Sequence, residues 1–408
     1  MQDETSTVVR SLIDARTSRE ESLFRIGKNV AAMAQLVCGE DEAAVVLCDE
    51  VLTGPSAWWP QRLHKTPGTK TAGMARQLAL RSRKVVENRP PDALLLARMA
   101  IEIAETLSPE DYPRGHVFRA RGQALRQEAM VLSFMGRFTE CLDSVTRATQ
   151  VFEHVPCAQF ELARLAMAKA QALLNLTRNE EAAELARDAG ETFQRFRHSQ
   201  FYLAARMVEA AALYDIPAVD RALEIWKSLE HHPDLDHVGV VRLAHNIAIC
   251  LIDLGRDVDA VVEPLQRCIV EFEAVGLLTE RTRSRWKLGT ALLVVGRAGE
   301  AIPILRLAWH EFAEMSMMVD GALAALDLAE ALLANEKPDQ VPMICHDVIA
   351  QFTKAGMTSR AITALSLLRE AAAMGRASRD LVRTTHATVQ RVTREEAQLF
   401  APDRGGEE

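Results

Sequence analysis

The stretch 288–308, LGTALLVVGRAGEAIPILRLA, decides the fold. Gly289 is followed three residues later by Leu292, Gly296 punctuates the run, and Ala301 sits twelve residues beyond Gly289 in a second apolar segment. The same small residue and leucine recur as Ala129 and Leu132, Ala170 and Leu173, Ala210 and Leu213, Ala248 and Leu251, Ala329 and Leu332. Successive small positions are 41, 40, 38, 41 and 40 residues apart. A self-similar period in that range marks stacked supersecondary units rather than one closed globule.

The residue types have a mechanical reason. Where two helices cross closely, a side chain larger than methyl holds the axes apart. Twelve residues after each small position stand Cys141, Ala182, Ala222, Ala260, Ala301 and Val341, which predicts an antiparallel partner helix touching the first at these points. Gly136, Gly255 and Gly296 follow the small position by seven residues, where ending a helix calls for a left-handed backbone. The spacing predicts helix pairs from residue 71 onward, with internal turns near Gly136, Thr177, Pro217, Gly255, Gly296 and Lys337. The first pair covers 71–87 and 91–107, the last 358–373 and 377–398.

Residues 1–17 read as disordered, 18–68 as a small helical segment with a Pro-rich linker, and 69–373 as the repeats. A capping helix is expected over 374–400 and a disordered tail over 401–408. Within 18–68, Ser18 and Glu21 form a capping box, and a second helix is expected from about 41 to 52. Gly54, Pro55, Pro60, Pro67 and Gly68 predict no helix around Trp58 and Trp59. Two adjacent indoles cannot both face one core, so docking of this loop against the first repeat is expected, with a contact to another domain or partner as the alternative for one of them.

Composition agrees with a helical stack. Hydrophobic residues make up 48 % of the 408 but aromatics only 5 %, so apolar volume comes from Ala, Leu, Val and Ile. A net charge of -8 gives no global attraction to nucleic acid or anionic membrane. Seven scattered cysteines without a C-x-x-C read as small buried hydrophobes in a reducing cytoplasm. The first residues lack the apolar core of a signal peptide.

Leu288, Gly289, Leu292, Gly296, Ala301, Leu305 and Ala308 resemble the tetratricopeptide repeat consensus, and Leu328, Ala329, Leu332 and Val341 match more loosely. The resemblance covers roughly 71–373, with units longer than the usual 34 residues. It is similar in this to kinesin light chains and to the sensor domains of bacterial regulators. Repeat three departs most, because Ile216-Pro217 replaces the glycine turn. The resemblance implies an all-α, right-handed α-solenoid of antiparallel hairpins whose first helices line a groove.

If the first helices line a groove, its exposed positions hold Arg126, Arg164, Met167, Gln171, Met207, Tyr214, Arg242, His245, Arg283 and Trp286. Guanidinium forks suit carboxylates, while the Met and aromatic residues add adaptable or anchoring contact. An acidic, partly apolar peptide or protein segment is the matching partner. The other reading of these arginines pairs them with neighbouring glutamates on a solvated face. Asn246 lies in a stretch, 245–251, that resembles the kinesin light chain helix in which an asparagine grips a bound peptide backbone. An amide bonded to the adjacent hairpin is the alternative.

Candidate chemistry is sparse. His231, His232, Asp234, Asp236 and His237 crowd one segment, but Pro233 makes it an inter-repeat loop, and no metal or other cofactor is expected. No H-E-x-x-H, G-x-x-x-x-G-K-[ST], G-x-G-x-x-G or G-x-S-x-G occurs. The expected role is a non-enzymatic scaffold or adaptor for a protein or peptide. A peptide-regulated switch of the phosphatase or transcription-regulator type, and a subunit of a defence or signalling complex, are the alternatives.

Overall fold

The structure, a computed structural model, describes residues 35–86, 88–354 and 359–399. Among them all regular structure is helical. The capping box at Ser18 and the tail beyond 400 lie outside the described residues. The chain divides into two compact units, Met1–Ala168 and Lys169–Glu408.

In the first unit residues 35–51 form α1, followed by α2 (Trp59–Lys65), α3 (Ala72–Val85), α4 (Pro90–Thr106), α5 (Arg114–Phe134) and α6 (Phe138–Phe152). α7 (Gln159–Asn175) begins in this unit and ends in the second. Two expectations fail here. The helix α1 runs through Gly39 without the break expected before residue 41, and the Pro-rich linker contains α2. Pro60 sits in the first turn of α2, where a missing N–H costs nothing, so the proline begins the helix instead of breaking it. Trp59 is then buried, 4 % exposed, and its Nε1 donates to the Gly54 carbonyl at 3.3 Å, while Trp58 remains 53 % exposed under Arg62.

α1 is tied to α3 by backbone proximity. A Cβ at Gly73 would fall 2.6 Å from the Glu40 carbonyl oxygen, so only glycine fits that crossing. The Glu40 carboxylate accepts from the Gly73 N–H at 3.1 Å and from the Tyr112 hydroxyl at 2.5 Å. α3 packs on α4 and α5, α4 on α5, and α5 on α6.

The second unit continues with α8 (Asn179–Arg195), α9 (Ser199–Tyr214), α10 (Val219–Leu229), α11 (His237–Asp253), α12 (Val262–Ala274) and α13 (Leu278–Val294). α14 (Ala298–Glu314), α15 (Met318–Ala334), α16 (Val341–Lys354), α17 (Ser359–Ala373) and α18 (Arg379–Leu399) complete it. Each helix packs on the next from α8 to α18, the stacking of a helical-repeat solenoid.

The small positions are the crossings. Ala129, Ala170, Ala210, Ala248 and Ala329 are buried, and a Cβ at Gly289 would stand 2.5 Å from Leu305 of the partner helix. The leucine three residues on does two jobs. In five hairpins its carbonyl accepts from the N–H five residues later, from Leu132–Arg137 through Leu332–Lys337, at 2.8–2.9 Å. That six-to-one bond closes the helix end, with Gly136, Thr177, Gly255, Gly296 and Glu336 in the left-handed region. Repeat three lacks it. Ala218 donates instead to the Ile216 carbonyl at 2.6 Å, across Pro217, which has no N–H to give.

Repeat four differs by one residue. Asp257 is left-handed and a 3-10 turn, Val258–Val261, precedes α12, so Ala260 is exposed and Val261 takes the buried place expected for it. Eleven residues beyond each partner position a phenylalanine is fully buried: Phe152, Phe193, Phe272, Phe312 and Phe352. The corresponding place after Ala222 is Pro233, so α10 stops at Leu229.

Candidate ligand-binding face

Two neighbouring registers on the first helices carry the charge. The residue six before the small position reaches the residue nine before the next small position. Gln123 Nε2 donates to Glu161 Oε1 at 3.2 Å in the first unit, Arg242 pairs with Glu280 at 3.1 Å and Arg283 with Asp320 at 3.0 Å in the second. Arg242 and Arg283 therefore answer to acids one hairpin along, as in the solvated-face reading, and their guanidinium groups remain about half exposed.

Three expected groove contacts are buried, Arg126 in the first unit and His245 and Trp286 in the second. His245 is 7 % exposed, and its Nδ1 lies 2.9 Å from Ser284 Oγ on α13. Burial, helped by Lys287 and Arg283, lowers its pKa to about 3, so the ring is neutral. Trp286 is 7 % exposed; its Nε1 donates to Asp327 at 2.8 Å, Thr290 donates to the same carboxylate at 2.7 Å, and Phe312 meets the ring edge-on. Both side chains fill the seam between successive first helices, because a helix packed on two neighbours leaves a narrower open stripe than a lone hairpin would. The contact between Ser284 and His245 resembles half of a nucleophile–base pair, but both groups are buried.

Tyr214 donates to Asp253 at 2.5 Å, and burial with that carboxylate raises its pKa. Met167, Met207 and Asn246 are half-buried, and Gln171 is exposed. Asp236 caps α11 by accepting from Gly239 N–H at 2.7 Å, and His237 meets Glu271 at 2.9 Å, which gives the histidine-rich loop local structural roles. Among the described residues no group of three His, Cys, Asp or Glu could hold a metal ion, and no helix is long and apolar enough to cross a membrane. Cys48, Cys141, Cys250, Cys268 and Cys345 are buried thiols whose pKa values burial raises.

α15, the first helix of the hairpin before the last, is covered by α18. Glu330, at the position after Ala329, accepts from Arg379 at 2.9 Å and Arg383 at 2.7 Å, both on α18, and His386 stands 3.4 Å from Asp327. The first unit holds a cluster of four arginines. Arg126 of α5 and Arg164 of α7 share Glu161 at 3.7 and 3.8 Å, and Arg76 and Arg83 of α3 line the same cavity. Sequence reading missed the α3 pair because its small residue and leucine, Ala75 and Leu78, stand 54 residues before Ala129, outside the 38–41-residue interval of the other hairpins. Its signal was Arg76, Leu80 and Arg83 spaced four and three apart, which puts them on one helix face.

No protein-family description matches the chain, and no curated protein matches it. Solved structures do. The apo form of the quorum sensor NprR from B. thuringiensis superposes with a TM-score of 0.60 at 10 % identity, over 88 % of this chain and 99 % of that one. The apo form of RapI gives 0.53 at 12 %, over 79 % and 98 %. A signal-transduction ATPase with a tetratricopeptide repeat sensor, from Pyrococcus horikoshii, gives 0.54 at 11 %, over 81 % of this chain and 53 % of that one. The chain has the tetratricopeptide-like repeat fold. Its tetratricopeptide-like units exceed the usual length because both helices are long, 17 residues each in α13 and α14.

Proposed function

We propose that this protein is a non-enzymatic interaction module that holds an acidic, partly apolar peptide or protein segment along its first-helix face. The observation that carries the reading is the pair of half-exposed arginine–carboxylate contacts, Arg242–Glu280 and Arg283–Asp320, repeated on successive hairpins. Exposed pairs of this kind are worth only about 0–1 kcal/mol, so a ligand carboxylate exchanges for the resident one at little cost. Met207 and Tyr214 on the preceding first helix, α9, and Asn246 on α11 offer apolar and amide contact.

Selection from a displayed random-peptide library tests this reading. Enriched peptides are expected to be acidic and to bind the Arg242→Glu, Arg283→Glu double variant at least tenfold more weakly, with a smaller loss for Asn246→Ala. Equal binding by variants that keep their helical circular dichroism would defeat it.

A peptide-operated switch is the second reading, favoured by α18. Arg379 and Arg383 of α18, both partly exposed, hold that helix to the buried Glu330, so release of the helix would uncover a carboxylate and two arginines. Under this reading a selected peptide speeds proteolysis within 374–378, and unchanged cleavage removes it.

A further inference from the structure

The patch in the first unit is built for a smaller object than a peptide. A cavity of about 220 Å³ lies between α3, α5 and α7, with Arg76, Arg83, Arg126 and Arg164 around it and Gln123 and Met130 in its wall. Among the described residues two carboxylates pair with these four cations. Asp41 takes Arg76 at 2.9 Å, and Glu161 stands between Arg126 and Arg164 while accepting from Gln123. His116 stands 3.3 Å from Arg76, and burial, then Arg76, lower its pKa.

Arg126 is the telling residue. It is 9 % exposed, its Nε has no hydrogen-bond partner, and the nearest carboxylate oxygen, at 3.7 Å, is beyond bonding range and itself unbonded. Burial and then the neighbouring Arg164 lower its pKa to about 10, against the opposing pull of Glu161. A desolvated guanidinium with an empty donor beside like charges is costly. Water would fill the donor but leave the charge. An oxyanion fills both, through the fork geometry that arginine presents.

We propose that this cavity binds a single oxyanion group, a carboxylate or a phosphoryl group, with Arg126 as its buried anchor. The volume is below the roughly 300–1,000 Å³ of a site for a drug-sized molecule, so it admits one group and its waters. The group arrives either as a side chain or chain end of a bound segment or as a free small anion. This deepens the reading above by naming the group bound in the first unit, and its test uses small probes so that the two can fail separately.

Thermal unfolding of the full chain is followed in sodium phosphate, sodium acetate and sodium chloride at matched ionic strength. Phosphate, acetate or both are expected to raise Tm saturably, and chloride not; the stronger of the two identifies the source chemistry. Arg126→Met is expected to abolish the anion-dependent rise while leaving the anion-free Tm unchanged or higher, because it removes an uncompensated cation. Glu161→Gln is expected to tighten the phosphate response at least threefold by removing the resident competitor. The proposal is overturned if chloride matches phosphate, if Arg126→Met keeps the anion response, or if both variants lower the anion-free Tm, the mark of a structural ion pair. Peptide selection with the Arg242 and Arg283 variants reads the second unit and stands whichever way this falls.

Discussion

At the residue scale, the closest contacts make the sharpest predictions. Gly289→Ala places a methyl 2.5 Å from Leu305, an overpacking expected to cost about 1–3 kcal/mol by urea midpoint, with partial recovery in Gly289→Ala, Leu305→Ala. Thr177 is a β-branched residue held at φ 57°, so Thr177→Gly is expected to raise stability by about 0.5–1 kcal/mol. His245 gives a pH dependence. Its folded pKa of about 3 lies below the ordinary value near 6.5, so below that pH the unfolded chain binds a proton that the folded chain refuses. Stability therefore falls as pH drops from about 6.5 toward 3, with a slope approaching ~1.4 kcal/mol per pH unit. Comparing urea midpoints at pH 7.5 and 5.5, His245→Asn is expected to flatten that loss by about 1 kcal/mol. A wild-type chain whose loss matches the variant's would refute the assignment.

At the element scale, the hairpins were legible because each depends on a crossing that tolerates only a small side chain, and Ala129, Ala170, Ala210, Ala248, Gly289 and Ala329 all occupy such crossings. The burial of His245 and Trp286 was not legible. A helix period says which residues share a stripe, but the width of that stripe left open depends on how closely the next first helix packs, which no local pattern encodes. The exposure of Ala260 has a similar cause, since one left-handed residue, Asp257, moves the partner position to Val261. The phenylalanines went unread because a lone aromatic at a period of about 40 carries little signal until its burial is seen. Phe312→Ala, at a fully buried site, is expected to cost about 3–5 kcal/mol and to raise amide exchange in α13, α14 and α15 before other segments.

At the scale of the molecule, a stack held by nearest-neighbour contacts is as strong as its poorest hairpin. The hairpin α9–α10 has no leucine-carbonyl closure, no buried phenylalanine and an 11-residue second helix. Hydrogen exchange is expected to be faster there than in α13–α14, and equal protection would contradict that ranking. Binding of acidic peptides is expected to weaken steadily between about 0.05 and 0.5 M salt, since the face works through exposed charges despite a net charge of -8. The carboxylates already seated on Arg242 and Arg283 then set a threshold of valence. Under the proposed function, a segment with one acid merely swaps one neighbour for another, whereas a segment whose acids match the interval between hairpins displaces both residents for a single loss of freedom, a selection by the count and spacing of negative charges.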